Sequence, residues 1–160
     1  MYDFKPDSAI EPAELYRQLC NAADALTSGE PDPVANMANV AALISEYVSD
    51  LNWAGFYRMI DGELVLGPFI GKPACIRIPL GQGVCGTAAS TAKTQLVEDV
   101  HAFPGHIACD AASQSEVVVP VIKDGEVIAV IDCDSPKIAR FSAEDAAGFE
   151  RLAEIIAARI

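Results

Sequence analysis

Basic residues are scarce in this 160-residue chain: 11 Lys and Arg stand against 23 Asp and Glu, a formal net charge of −12. Nucleic acid and anionic membrane surfaces are held by cationic side chains, so this balance argues against both as partners. Long apolar runs are lacking too. None approaches the ~20 residues that a membrane span needs, and the opening MYDFKPDSAIEP has neither the basic nor the apolar region of a secretory leader. Cytoplasm is the location expected. There are only two histidines, and none of the five cysteines (20, 75, 85, 109 and 133) falls in a CxxC pair or meets an HxxxH partner, which argues against a structural zinc. An odd cysteine count in a chain of this length also argues against a secreted disulfide framework.

What the chain does have is apolar content, 51% of residues, enough for a core that folds without covalent staples. No repeat or linker divides it, so one domain over 1–160 is expected. Leu15, Leu19, Ala22, Ala23 and Leu26 recur on one face of a helix from about Pro12, with Cys20 beside the stripe as packing filler. Asp32 offers an N-cap and Pro33 suits the first position of a second helix reaching to about Asp50. The period then changes. Residues 52–60 and 63–70 flank Asp61-Gly62, and 115–123 and 126–135 flank Asp124-Gly125; both read as hairpins with two-residue turns. ACIRIPL and TQLVEDV read as two further strands, separated by the glycine turn GQGVCG and a short helical AAST. A terminal helix runs over about 142–160, with Ser142 and Asp145 as a capping box. The fold class is α+β: a mostly antiparallel six-stranded sheet over about 52–135, with helices before and after it.

The loop HAFPGHIACDAASQSE, from His101 to Glu116, breaks any regular period between two strands and carries Cys109 in its middle. A cysteine in a polar, irregular setting is placed for reactivity, because the thiolate needs access. His101 and His106 are possible activators. In V-I-D-C-D, alternation puts Asp132 and Asp134 on one face of the last strand and Cys133 on the other, toward core. Glu116 falls near their rung across the hairpin. Three such carboxylates could hold an ammonium group and, by mutual repulsion, keep one member protonated near neutral pH. Cys75 or Cys85 could close a disulfide with an oxidised Cys109.

GPFIGKPACIRIPLGQGVCGTAA, FPGHIACDAASQSEVVVPV and VIDCDSP, with NWAGFY upstream, resemble the free methionine-(R)-sulfoxide reductases, single GAF-domain enzymes. The resemblance runs from about Pro12 to the C-terminus, and Cys133 departs from the aliphatic residue expected between the two Asp residues. It implies reduction of the R epimer of free methionine sulfoxide, thioredoxin as the reductant, a homodimer, and no metal or cofactor. It also implies Cys109 as nucleophile, Cys75 as resolving cysteine and Cys85 as an auxiliary. Glu116, Asp132 and Asp134 become the acidic substrate-binding and catalytic residues, and Trp53 and Tyr57 the aromatic pocket wall. The alternative is a GAF-type sensor of a small cationic or zwitterionic ligand, with its cysteines as redox reporters.

Overall fold

The computed structural model describes residues 10–107 and 109–160, together with Pro6; most of the opening segment read above, and Ala108, lie outside the described residues. Helix α1 (Pro12–Thr27) begins at a proline and α2 (Pro33–Tyr47) follows Asp32, whose carboxylate accepts the Ala35 N–H at 2.8 Å. Strands β1 (Trp53–Ile60) and β2 (Glu63–Gly71) form the first hairpin. Asp61 and Gly62 both take positive φ there (52° and 83°), the geometry that a two-residue turn of the right twist requires.

Strand β3 (Arg77–Pro79), helix α3 (Gly83–Thr91) and strand β4 (Gln95–Val97) come next. A short 3₁₀ turn (Val100–Ala102) opens the long loop to β5 (Ser115–Lys123), which turns at Asp124-Gly125 into β6 (Glu126–Ser135). Helix α4 (Ala143–Ala157) closes the chain behind a reciprocal Ser142–Asp145 capping box. The six strands lie in the order β3-β2-β1-β6-β5-β4, all neighbours antiparallel. Among the described residues no helix is long and apolar enough to cross a membrane.

Alternation sorts the sheet's side chains between two cores. Ala54, Phe56, Val117, Val119, Ile131 and Cys133 face α1, α2 and α4, whose apolar stripes include Tyr16, Leu19, Ile44, Phe149, Leu152 and Ile156. The first two helices therefore spend their apolar faces within the chain. Gly148 of α4 sits against the Tyr16 ring, where a Cβ would overlap it, so only glycine lets the two helices approach this closely. Tyr16 also donates its hydroxyl to Asp145 Oδ1 at 2.8 Å, joining α1 to the cap of α4. The opposite face of the sheet carries Trp53, Tyr57, Val118 and Val130 against Val84, Cys85 and Ala88 of α3. The candidate site forms on this second face.

Boundaries differ from the sequence expectation at several elements: α2 stops at Tyr47 rather than about Asp50, and TQLVEDV keeps only Gln95–Val97 as strand. ACIRIPL supplies only three strand residues, and Cys75 lies in the loop before them, because Pro73 and the loop chemistry end β2 at Gly71. GQGVCG is not only a turn: α3 begins at Gly83 and carries Cys85 in its first turn.

Candidate active site

Strand register builds the floor of the site. Glu116 of β5 pairs directly with Asp134 of β6, and Asp134 in turn faces Trp53 of β1; Asp132 lies between Gly55 and Val118. All of these side chains share one face with Tyr57. Glu116 and Asp132 are buried, and Asp134 is half-buried at the rim. Trp53 stacks on Tyr57 (centroids 5.8 Å apart), and Phe69 of β2 backs Trp53 from outside the cavity lining (5.2 Å). This geometry depends on Gly55, since a Cβ there would collide with Phe69.

The roof comes from two loops and the start of α3. Cys75 and Cys109, 34 residues apart, form a disulfide with Cα atoms 5.5 Å apart. Tyr57 donates its hydroxyl to the Cys75 carbonyl at 3.0 Å, and Trp53 Nε1 donates to the Lys72 carbonyl at 3.2 Å, so the aromatic wall also carries the loop that holds Cys75. Asp110, next to Cys109, has an anchoring part. Its Oδ1 accepts the Ala112 N–H at 2.9 Å and lies 3.7 Å from Lys72 Nζ, while its Oδ2 accepts from Asn52 Nδ2 at 3.1 Å. These contacts hold the Asp110 carboxyl below its ordinary range, the Ala112 N–H contributing most and then Asn52 and Lys72.

Cys85 points into the acidic floor. Its Sγ lies 3.3 Å from Asp132 Oδ2 and 3.9 Å from Glu116 Oε1. Burial first, and then the Asp132 and Glu116 charges, push its thiol well above the ordinary cysteine range, so it is kept as S–H and can donate. Burial likewise raises all three acids. Glu116 is pushed well up, with the charges of Asp132 and Asp134 adding to burial. Asp134 is raised by burial and Asp132. Asp132 is raised to about 7 by burial, against the hydrogen bonds from Cys85 and Glu116 that lower it. A cluster with these shifts retains protons at neutral pH and can donate one.

His106 lines the cavity, and burial, with His101 second, lowers its pKa; a neutral imidazole gives little electrostatic help to a thiolate. His101 pairs at the surface with Asp99, 3.0 Å away. Cys133 is fully buried on the opposite sheet face, as alternation in the strand requires, and Cys20 is buried in the helical core.

These parts line a cavity that is partly open to solvent and whose inner void is small, about 30 Å³; Cys109, Glu116, Asp132 and Asp134 are all among its lining residues. Gln82, Gly83, Val84, Ile107 and Ser113 also line it and were not anticipated from the sequence. Phe69 alternates with neighbours on β2 and could have been found by the same period-2 reading that placed Trp53. Ser113 sits in a stretch with no period, so only the fold places it beside Asp134. Helix α3 opens at the cavity with no side-chain cap on its N-terminus, leaving the first N–H groups available to an anion.

The GAF domain family matches residues 34–160. Among relatives, the free methionine-R-sulfoxide reductase of Escherichia coli is 51% identical over 143 residues, which cover 89% of this chain and 87% of that protein. The free methionine-R-sulfoxide reductase of Saccharomyces cerevisiae is 44% identical over 157 residues, 93% of this chain and 87% of that one. The X-ray structure of free methionine-R-sulfoxide reductase from Neisseria meningitidis in complex with its substrate superposes with a TM-score of 0.92 at 44% identity, covering 97% of this chain and 93% of that one. With this fold and this degree of identity over nearly its whole length, the chain belongs to the GAF-domain family of free methionine-R-sulfoxide reductases.

Proposed function

We propose that this protein reduces the R epimer of free methionine sulfoxide to methionine through Cys109. The observation that carries this reading is the position of Cys109 on the lining of a cavity whose floor is Glu116, Asp132 and Asp134, while Cys75 is close enough to bond to it. Family membership supplies the substrate class.

The Cys109 thiolate attacks the sulfoxide sulfur as a carboxylic acid of the floor gives its proton to the sulfoxide oxygen. Oxygen passes to Cys109, which becomes a sulfenic acid, and two electrons pass to the substrate sulfur, which leaves as the thioether of methionine. Cys75 attacks the sulfenic sulfur; water departs, and the Cys75–Cys109 disulfide forms. An external dithiol, which we take to be thioredoxin, supplies two electrons to reopen it. The raised pKa values of Glu116, Asp132 and Asp134 provide the proton at neutral pH. Cys85, kept as a thiol by the same acids, serves to orient Asp132 rather than to attack.

Substrate choice has a physical basis in the same floor. A free amino acid presents an ammonium that a peptide-bound residue lacks, and leaving a buried acid without its partner costs on the order of 3–5 kcal/mol. The carboxylate of the substrate has the N-terminus of α3 to meet, and Trp53 and Tyr57 offer aromatic surface to the methyl thioether. A homodimer belongs to the same proposal and is checked by light scattering of the purified chain.

The direct test is to incubate the reduced protein with racemic free methionine sulfoxide and dithiothreitol and follow each epimer. Loss of the R epimer alone is expected. If neither epimer declines, the sensor reading replaces this one.

A further inference from the structure

The geometry points to a binding site for a thiophilic divalent cation, Zn²⁺ or Co²⁺, formed by Cys85, Glu116 and Asp132 beneath the Cys75–Cys109 disulfide. One ligand atom from each of the three residues lies within 4.8 Å of the other two, and all three side chains are buried. A tetrahedral ion with Zn–S near 2.3 Å and Zn–O near 2.1 Å would set S···O separations of about 3.6 Å. The Cys85 sulfur stands 3.3 Å from Asp132 Oδ2 and 3.9 Å from Glu116 Oε1, so both S···O separations are within a few tenths of an ångström of that value.

A second observation points to a ligand here. Asp132 is only 6% exposed, yet its Oδ1 has no hydrogen-bond partner among the described residues. A buried carboxylate oxygen left in this state favours whatever cation can reach it. The cavity that Asp132 lines, about 30 Å³, has room for a water on the ion's fourth position. The donor set, one sulfur and two carboxylate oxygens, suits zinc or cobalt; calcium and magnesium prefer oxygen-only shells. Because the disulfide form suffices, the site needs no turnover and stands apart from the proposed reaction. In the reduced protein the ion would compete with any ligand ammonium for the same carboxylates.

The test is titration of the disulfide form of the whole chain with CoCl₂ alone, following thiolate-to-cobalt charge-transfer absorption. Cys75 and Cys109 cannot contribute while they are bonded to each other. One equivalent of Co²⁺ should saturate the band, with proton release into a weakly buffered solution. Cys85→Ser should abolish the band, and Glu116→Gln, which keeps the thiol, should weaken binding by more than about tenfold. Circular dichroism checks that each variant is folded, and if Cys85→Ser is not, the Glu116→Gln titration decides. No band in the wild-type disulfide form would overturn the assignment. So would a band that survives Cys85→Ser, which would move the metal to Cys20 or Cys133, or unchanged affinity in Glu116→Gln.

Discussion

The Tyr57 hydroxyl, rooted in the central strand β1, holds the backbone of Cys75 by a 3.0 Å hydrogen bond to its carbonyl. The aromatic that walls the cavity is thus also a fastening for the loop that presents the second cysteine. A partly buried bond of this kind contributes about 1 kcal/mol. Tyr57→Phe should leave the first, single-turnover release of methionine nearly intact and slow disulfide formation on the order of fivefold. Quenched-flow thiol trapping separates the two steps, and equal slowing of both would return Tyr57 to the chemistry of the first.

Cys109→Ser should abolish methionine release even in a single turnover. Cys75→Ser should retain one equivalent of release per chain but lose cycling with thioredoxin. A burst in the first variant, or normal cycling in the second, would reassign the respective role, with Cys85 the next candidate.

The acidic floor should make stability depend on pH in an unusual direction. Asp132 has a folded-state pKa of about 7 against an ordinary 3.8, raised by burial. Between these values the folded chain binds more protons than the unfolded one, so stability is full below about pH 4 for this group and declines as pH rises through 7. The difference corresponds to an effect on the order of 4 kcal/mol, shared with Glu116. Asp132→Asn should flatten the decline of Tm between pH 5 and 8. An unchanged slope would place the protons elsewhere.

Gly148→Ala should be costly. A methyl group there meets the Tyr16 ring and must separate α1 from α4, an overpacking penalty of about 1–3 kcal/mol or more. Urea denaturation measures it. A loss below about 0.5 kcal/mol would mean that the Tyr16–Phe149 contact can shift without strain.

Cys133→Val tests the opposite face of β6. Cys133 packs with Val117 and Ile131 in the helical core, away from Asp132 and Asp134, so the swap should leave activity unchanged and alter stability by less than about 1.5 kcal/mol. An activity loss without unfolding would show that the two sheet faces are coupled.

Most of the fold was legible because its signals are local. The Asp61-Gly62 and Asp124-Gly125 turns, the period-2 strands and the Ser142–Asp145 box each act within a few residues, and alternation alone put Cys133 and the two aspartates on opposite faces. Counting back through a two-residue turn put Glu116 near the rung of Asp132 and Asp134, and the register shift between Val121 and Ile122 is what sets it opposite Asp134. Other features depend on contacts that residue spacing does not encode. The length of α3, the loop position of Cys75, the burial that turns Cys85 toward Asp132, and Ser113 beside Asp134 all arise from long-range packing over an aperiodic loop. The two histidines misled for the same reason: their spacing from Cys109 suggested activation, whereas burial lowers the His106 pKa and Asp99 engages His101.

The Cys75–Cys109 bridge over the acidic floor has a kinetic consequence. In the proposed reaction Cys109 has no thiolate to attack a sulfoxide while the bridge exists, and the reductant has nothing to reduce until the bridge forms. Substrate and reductant therefore visit in strict alternation, each on a different covalent form of the protein. Initial-rate measurements at several fixed dithiol concentrations should give parallel double-reciprocal lines, the pattern of a ping-pong cycle, and intersecting lines would show that both can be bound at once.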